Sequence, residues 1–151
     1  MVAAIIQARL GSTRTPGKTM KLIGNKPLLE YSVERTRLAR YIDKVIVATT
    51  TSDKDHLISE WCKEKGIDSF RGSEDDVLDR YFQTASHFKA DIIVRVTSDC
   101  PFVDPQIVDL LILSLKVFGA DYASNRIKNR SWPHGLDVEV FSFNSLEKAW
   151  K

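Results

Sequence analysis

Arg9, Arg14 and Lys18 fall within one short segment, Gln7 to Lys18, alongside Gly11, Ser12, Pro16 and Gly17. Glycines let backbone amides approach a phosphate chain, and clustered cations neutralise it. The spacing is neither that of a GxGxxG dinucleotide loop nor that of a Walker loop. A solvated basic loop is the plainer alternative. The concentration of cations, Ser, Pro and Gly in one strand-to-helix turn favours a polyphosphate site, with Ala8, Arg9, Gly11, Ser12, Arg14 and Lys18 as its contacts. A second loaded segment is Thr97 to Pro101. Asp99 alone is explained as a turn cap ahead of Pro101. Opposite a polyphosphate loop it is better read as a metal ligand, because Mg²⁺ is commonly held by one or two carboxylates plus substrate phosphates. Arg9, Lys18 and Asp99 are therefore the candidate catalytic residues.

Two further groups are open to more than one reading. In Phe70 to Arg80, Ser73 reads as a helix N-cap with acidic residues in the first turn, which is a complete structural account. Arg71 and Arg80 are still placed to reach a nucleotide. In Gly135 to Glu139, Asp137 and Glu139 project to one side of a strand. They face solvent, an acceptor pocket or a metal, and His134 beside Trp132 and Pro133 is a further substrate candidate. The basic residues Arg126, Lys128 and Arg130 lie in the same loop.

These residues need a scaffold that brings distant loops together. Short β-branched runs alternate with amphipathic stretches. Strands are expected at Val2 to Gln7, Val45 to Thr49, Ile67 to Phe70, Ile92 to Val96, Asp121 to Ser124 and Leu136 to Phe143. Helices are expected over Pro27 to Arg40 and from Asp53 to Gly66, where Leu57, Ile58, Trp61 and Cys62 share a face. Another carries Val77, Leu78, Tyr81, Phe82, Ala85 and Phe88 on one stripe. The next runs from Asp104-Pro105 to near Gly119, and the last is capped by Asn144 or Ser145. Repeated strand–helix units predict an α/β fold, a mostly parallel sheet with helices on both faces, in which ligands bind beyond the carboxyl ends of the strands.

The chain has 151 residues, the size of one domain, and 22 Lys+Arg against 20 Asp+Glu give a net charge of +2. That balance gives no overall drive toward nucleic acid or an anionic membrane. The apolar run Val2 to Ile6 is too short to span a bilayer and lacks a basic segment before it. Cys62 and Cys100 have no zinc-type spacing and read as reduced thiols, so the cytoplasm is the expected compartment. The last helix reaches Trp150-Lys151 without a C-cap, the pattern of a chain that continues.

The pattern Ala8-Arg9, Ser12, Arg14, Pro16-Gly17-Lys18 after a strand resembles the opening motif of the cytidylyltransferases that activate sialic acids and Kdo. Arg71 to Arg80, Arg95 to Pro101 and Gly135 to Phe141 are similar to segments of the spore coat polysaccharide biosynthesis protein F group within the acylneuraminate cytidylyltransferase superfamily. The resemblance spans nearly the whole chain, 1–151, in order. It implies a Rossmann-like nucleotide-diphospho-sugar transferase fold, CTP and Mg²⁺ as nucleotide and cofactor, a sugar acceptor and released pyrophosphate. It further implies that Arg9, Arg14 and Lys18 hold the triphosphate and Asp99 the metal, with Arg71, Ser73 and Arg80 near the nucleotide.

Three departures stand out. Thr15 replaces an apolar residue, Ser98 replaces a common Gly, and the second metal aspartate of a Val-Asp-x-x-Glu-Asp-Leu-like segment is missing. Two alternatives stay open. A glycosyltransferase of related fold would prefer an Asp-x-Asp motif, which Ser98-Asp99-Cys100 is not. A nucleotide-binding domain without catalysis would bind CTP and not turn it over. The resemblance also implies a homodimer, for which apolar Leu136, Val138, Val140, Phe141, Leu146 and Trp150 are the candidate surface, unless that strand and helix simply complete the parent sheet.

Overall fold

The computed structural model describes residues 1–12, 15–126 and 131–151. The strands are β1 (Val2–Gln7), β2 (Leu22–Ile23), β3 (Lys26–Pro27), β4 (Lys44–Thr50), β5 (Asp68–Gly72), β6 (Ile92–Thr97), β7 (Tyr122–Ser124) and β8 (Glu139–Ser142). The helices are α1 (Leu28–Arg37), α2 (His56–Glu64), α3 (Val77–Phe88), α4 (Pro105–Phe118) and α5 (Phe143–Trp150). The main sheet has the order β5-β4-β1-β6-β8-β7. β5, β4, β1 and β6 run parallel, and β8 runs against both β6 and β7. The expected mostly parallel α/β sheet is therefore present.

Among the parallel strands β1 and β4 are buried on both sides, which is why they read as continuous apolar runs. Ala4, Ile6, Val47, Val94 and Val96 face α1, α2 and α4 through Leu29, Val33, Ile58, Trp61 and Ile112. Ala3, Ile5, Ile46, Ala48 and Ile93 face α3 and α5 through Tyr81, Ala85 and Leu146. Register puts Gln7 opposite both Ala48 and Thr97, so β1 and β6 end side by side. From β1 the chain moves to β4 on one side, and from β6 it moves to β7 and β8 on the other. The loops diverge there and leave a crevice, the topological switch point of an open α/β sheet.

Several local expectations are corrected. Leu57 is 56% exposed, because the buried arc of α2 is Ile58, Trp61 and Cys62 and Leu57 lies outside it. Leu78, placed on the stripe of α3, is 40% exposed. The N-cap of α3 is Asp76, whose side chain accepts from Asp79 N, and Ser73 serves the preceding turn by accepting from Asp76 N. The cap of α5 is Ser142, accepting from Ser145 N, rather than Asn144 or Ser145. Leu136 and Val138 fall outside β8. Asn125 takes the place of a strand there, donating to Leu136 O at 2.7 Å and accepting from Val138 N at 2.8 Å. The short β2–β3 hairpin, turning at Gly24 with φ +62°, was not expected from the pattern. Val138, Val140 and Leu146 are buried within the chain, so the strand and helix complete the parent sheet.

Candidate active site

The loop after β1 folds back on itself around one carbonyl. Leu10 O accepts from Ser12 N at 2.8 Å and from Gly17 N at 3.0 Å. Gly17 adopts φ +70°, a left-handed conformation that glycine reaches without a Cβ penalty, and it starts a 3-10 turn over Lys18–Met20. Thr19, 1% exposed, locks this turn to both strand ends. Its Oγ1 donates to Arg9 O at 3.1 Å and lies 3.2 Å from Ser98 Oγ. From the other side Asp55, also 1% exposed, accepts from Leu10 N at 2.7 Å and from Thr50 Oγ1. A buried carboxylate thus ties the loop after β1 to the end of β4.

These anchors aim Lys18 across the crevice, where Nζ forms an ion pair with Asp99 of the turn after β6. Burial alone would raise the Asp99 carboxyl. Hydrogen bonds from Lys18 and Thr97, with the Lys18 charge, outweigh it and hold the group below its ordinary value, so Asp99 is ionised at neutral pH. Behind it, Cys100 Sγ lies 3.0 Å from Thr97 Oγ1. Burial pushes this thiol up, and the charges of Asp99 and Asp137 act in the same direction, which places Asp137 within electrostatic reach of the turn.

The opposite wall comes from α3. Arg80 is 2% exposed, and its Nη1 donates to Ser73 O. It fits because position 72 is glycine, where a Cβ would sit 3.0 Å from Arg80 Cγ. Burial pulls the guanidinium below the ordinary arginine range, with neighbouring Arg9 pushing the same way. Arginine remains a cation throughout the physiological range. The resulting cleft, about 300 Å³, is walled by the β1 loop, the Thr97–Asp99 turn and the Val77–Arg80 face of α3.

Of the residues singled out in the sequence, Ala8, Arg9, Ser12, Lys18, Arg80 and Asp99 line this one cleft. Gly11 does not line it, and an added Cβ there would be 3.8 Å from Glu74 Oε1. Arg14, Lys128 and Arg130 lie outside the described residues. Arg71 is turned to the β4–α2 connection, donating to Thr50 O and Ser52 O at 2.9 Å each. Glu139 pairs with Arg95 at 2.7 Å, and neither lines the cleft. His134 is exposed on its loop. Gln7, Thr19, Thr97 and Ser98 join the cleft wall without having been singled out as site residues, and Asp55 supports it from beneath.

A single acidic side chain at the cleft suits Mg²⁺, which keeps water and substrate phosphates among its ligands. Among the described residues no group of three or more His, Cys, Asp or Glu is placed to hold a metal alone. Among the described residues, too, no helix is long and apolar enough to cross a membrane.

Comparisons with known proteins find relatives along nearly the whole chain. A protein of Methanocaldococcus jannaschii, itself uncharacterized, is 39% identical over 150 residues, covering 99% of this chain and 60% of that protein. Spore coat polysaccharide biosynthesis protein SpsF of Bacillus subtilis is 39% identical over 146 residues, covering 94% and 59% respectively. The chain thus spans about three fifths of the length of these relatives. A solved cytidylyltransferase from Leptospira borgpetersenii superposes with a TM-score of 0.89 at 36% identity, over 97% of this chain and 62% of that one. A family model described as cytidylyltransferase matches residues 3–151, and on that match the chain belongs to the cytidylyltransferase family.

Proposed function

We propose that this chain carries the nucleotide site of an enzyme that transfers CMP from CTP to a sugar acceptor and releases pyrophosphate. The observation that carries the reading is the Lys18–Asp99 pair across the switch-point cleft, flanked by Arg9, Ser12 and buried Arg80. Within the pair the cation and the carboxylate neutralise each other. A triphosphate with its magnesium ion offers each a replacement partner, phosphate for Lys18 and the cation for Asp99.

In this reading a sugar hydroxyl attacks the α-phosphorus in line. The bond from that phosphorus to the bridging oxygen breaks, the hydroxyl proton is lost and pyrophosphate leaves. Such transfer asks for positioning and charge neutralisation rather than covalent help from the protein. Lys18 and Arg9 neutralise the leaving pyrophosphate, with Arg14 assigned alongside them by the family resemblance. The turn locked by Thr19 fixes Lys18 relative to Asp99. Asp99, ionised and half-buried, would hold Mg²⁺, which when bound polarises the phosphate oxygens. The names of two relatives, the spore coat protein SpsF and a 3-deoxy-manno-octulosonate cytidylyltransferase of Geobacter metallireducens, support a polysaccharide precursor as acceptor. The cytoplasm, with its CTP pool, fits two unpaired cysteines. A homodimer stays part of the proposal through the family resemblance, and light scattering tests it, a monomer removing it.

The test is thermal unfolding with a panel of nucleoside triphosphates and Mg²⁺. Ligand at a hundredfold over Kd adds about 2.7 kcal/mol, which raises Tm by roughly 5–10 °C for a chain of this size. CTP with Mg²⁺ is expected to give that rise, and pyrophosphate release is then measured with a panel of sugar acids. A melting temperature indifferent to every triphosphate overturns the reading.

A further inference from the structure

Helix α4 carries apolar side chains on two opposite faces. Ile107, Val108, Leu111, Ile112 and Leu115 are buried against the sheet and α1. Leu110, Leu113 and Val117 point the other way and are exposed. With Gln106 they recur at i, i+4, i+7 and i+11, the spacing of a single stripe and of a helix–helix seam. Val117 is 74% exposed and Phe118 beside it 80%, the highest values of any large apolar side chain among the described residues. Apolar side chains scattered singly over a surface are ordinary, whereas a contiguous stripe marks an interaction site.

Charge beside the stripe points to what covers it. Asp109 and Lys116, seven residues apart, lie on the same flank. Asp109 accepts from Arg40 N and Tyr41 N at 3.1 Å each, in the turn after α1, and its two oxygens keep lone pairs for a further donor. Lys116 is exposed and pairs with no described residue. A two-fold axis at Leu113, perpendicular to α4, sets the helix antiparallel against its own copy. Leu113 then meets the partner's Leu113, and Leu110 meets the partner's Val117. Asp109 meets the partner's Lys116, and the symmetry makes that charge contact twice. A parallel arrangement sets Asp109 against the partner's Ser114 and leaves both charges unmatched.

We propose that the outward face of α4 docks a second copy of this chain, α4 antiparallel to α4. The inference names a surface for the homodimer proposed above and is independent of the CTP reading. The surface expected from the sequence does not serve, because Val138, Val140 and Leu146 are buried within the chain. At 1.5 Å per residue the stripe from Gln106 to Val117 is about 17 Å long. That is short beside a standard interface, which places this dimer among the small, concentration-dependent ones.

Sedimentation equilibrium of the whole chain, from micromolar to millimolar protein, is expected to show monomer and dimer in exchange. Leu113→Glu sets two carboxylates face to face on the axis and should weaken the dimer at least about a hundredfold. Lys116→Glu opposes Asp109 and should weaken it about tenfold at low salt. Both positions are exposed, so the melting temperature at low protein concentration should stay that of wild type. Oxidative cross-linking reads the register, and the protein's own Cys62 and Cys100 are buried. Leu113→Cys should form a linked dimer, and so should Leu110→Cys mixed with Val117→Cys. Val117→Cys alone should not, because its copy lies about 12 Å away along the helix, beyond the roughly 7 Å that a disulfide spans. A monomer at every concentration overturns the surface and the homodimer together, and one that co-sediments with anionic vesicles assigns the face to a membrane instead. A dimer that Leu113→Glu leaves intact overturns the surface and keeps the homodimer. Val117→Cys linking to itself as readily as Leu113→Cys overturns the antiparallel pairing. If Leu113→Glu unfolds, Lys116→Glu decides: a weakened dimer supports the assignment, and an unchanged one overturns it.

Discussion

Asp55 makes the sharpest test of how the site is held. The carboxylate is 1% exposed and accepts from Leu10 N at 2.7 Å and from Thr50 Oγ1. Asp55→Ala removes a charge-assisted bond to a loop amide and leaves that amide and a threonine hydroxyl without their acceptor. A hydrogen bond to a charged group contributes about 1.5–3 kcal/mol, and an abandoned donor costs about 1–3 kcal/mol, with overlap between the two figures. The expected loss is about 2–4 kcal/mol of unfolding free energy, read from urea denaturation at unchanged m-value. Leu10 also organises Ser12 and Gly17 through its carbonyl, so the same variant should loosen the loop and weaken CTP at least tenfold. Asp55→Asn separates packing from charge. Its Oδ1 still accepts from Leu10 N, its Nδ2 can donate to a rotated Thr50 hydroxyl, and the loss should stay near 1 kcal/mol. Asp55→Ala within 0.5 kcal/mol of wild type, or Asp55→Asn as damaging as Asp55→Ala, would refute the reasoning.

Lys18→Ala and Arg9→Ala should each weaken CTP by about 1.5–3 kcal/mol while leaving CMP nearly unaffected, by calorimetry. Equal effects on both nucleotides would take these cations away from the β,γ-phosphates. Lys18→Ala should also move the Asp99 carboxyl upward in an NMR titration, because burial then acts with less opposition. In wild type the folded-state value is depressed, so the stability from this group is present above the unfolded-state value and is lost as pH falls through the folded one, in the acid range below about pH 4. Asp99→Asn should keep the fold and abolish the Mg²⁺ dependence of CTP binding, and with it the reciprocal effect of CTP on Mg²⁺ affinity. Loss of the fold with no prior Mg²⁺ dependence would restore the turn-cap reading. Gly72→Ala puts a Cβ 3.0 Å from Arg80 Cγ and 3.3 Å from Phe70 Cε1, so it should cost about 1–3 kcal/mol by overpacking and disturb nucleotide binding through Arg80. A neutral melt would show that Arg80 gives way without consequence.

The parts of this site that were legible in the sequence share one property: each follows a buried parallel strand. Lys18 and Asp99 stand 81 positions apart, yet both come after continuous β-branched or apolar runs, and strands of one parallel sheet deliver their loops to the same end. The parts that were hidden each had a sufficient local explanation. Asp55 precedes an amphipathic helix and reads as part of its start, whereas its partner Leu10 N is 45 positions away. Arg80 is a nucleotide candidate in the sequence, but its burial is hidden there, because it depends on the missing side chain at Gly72. The alternation from Leu136 to Phe143 reads as one strand, but a side chain, Asn125, takes the hydrogen bonds of its first part. Gln7 closes an apolar strand and looks like its polar end, and its place in the cleft wall follows only from the register that sets β1 beside β6. Periodicity reports which face of an element is buried. It does not report which polar atoms remain unpaired once the faces meet.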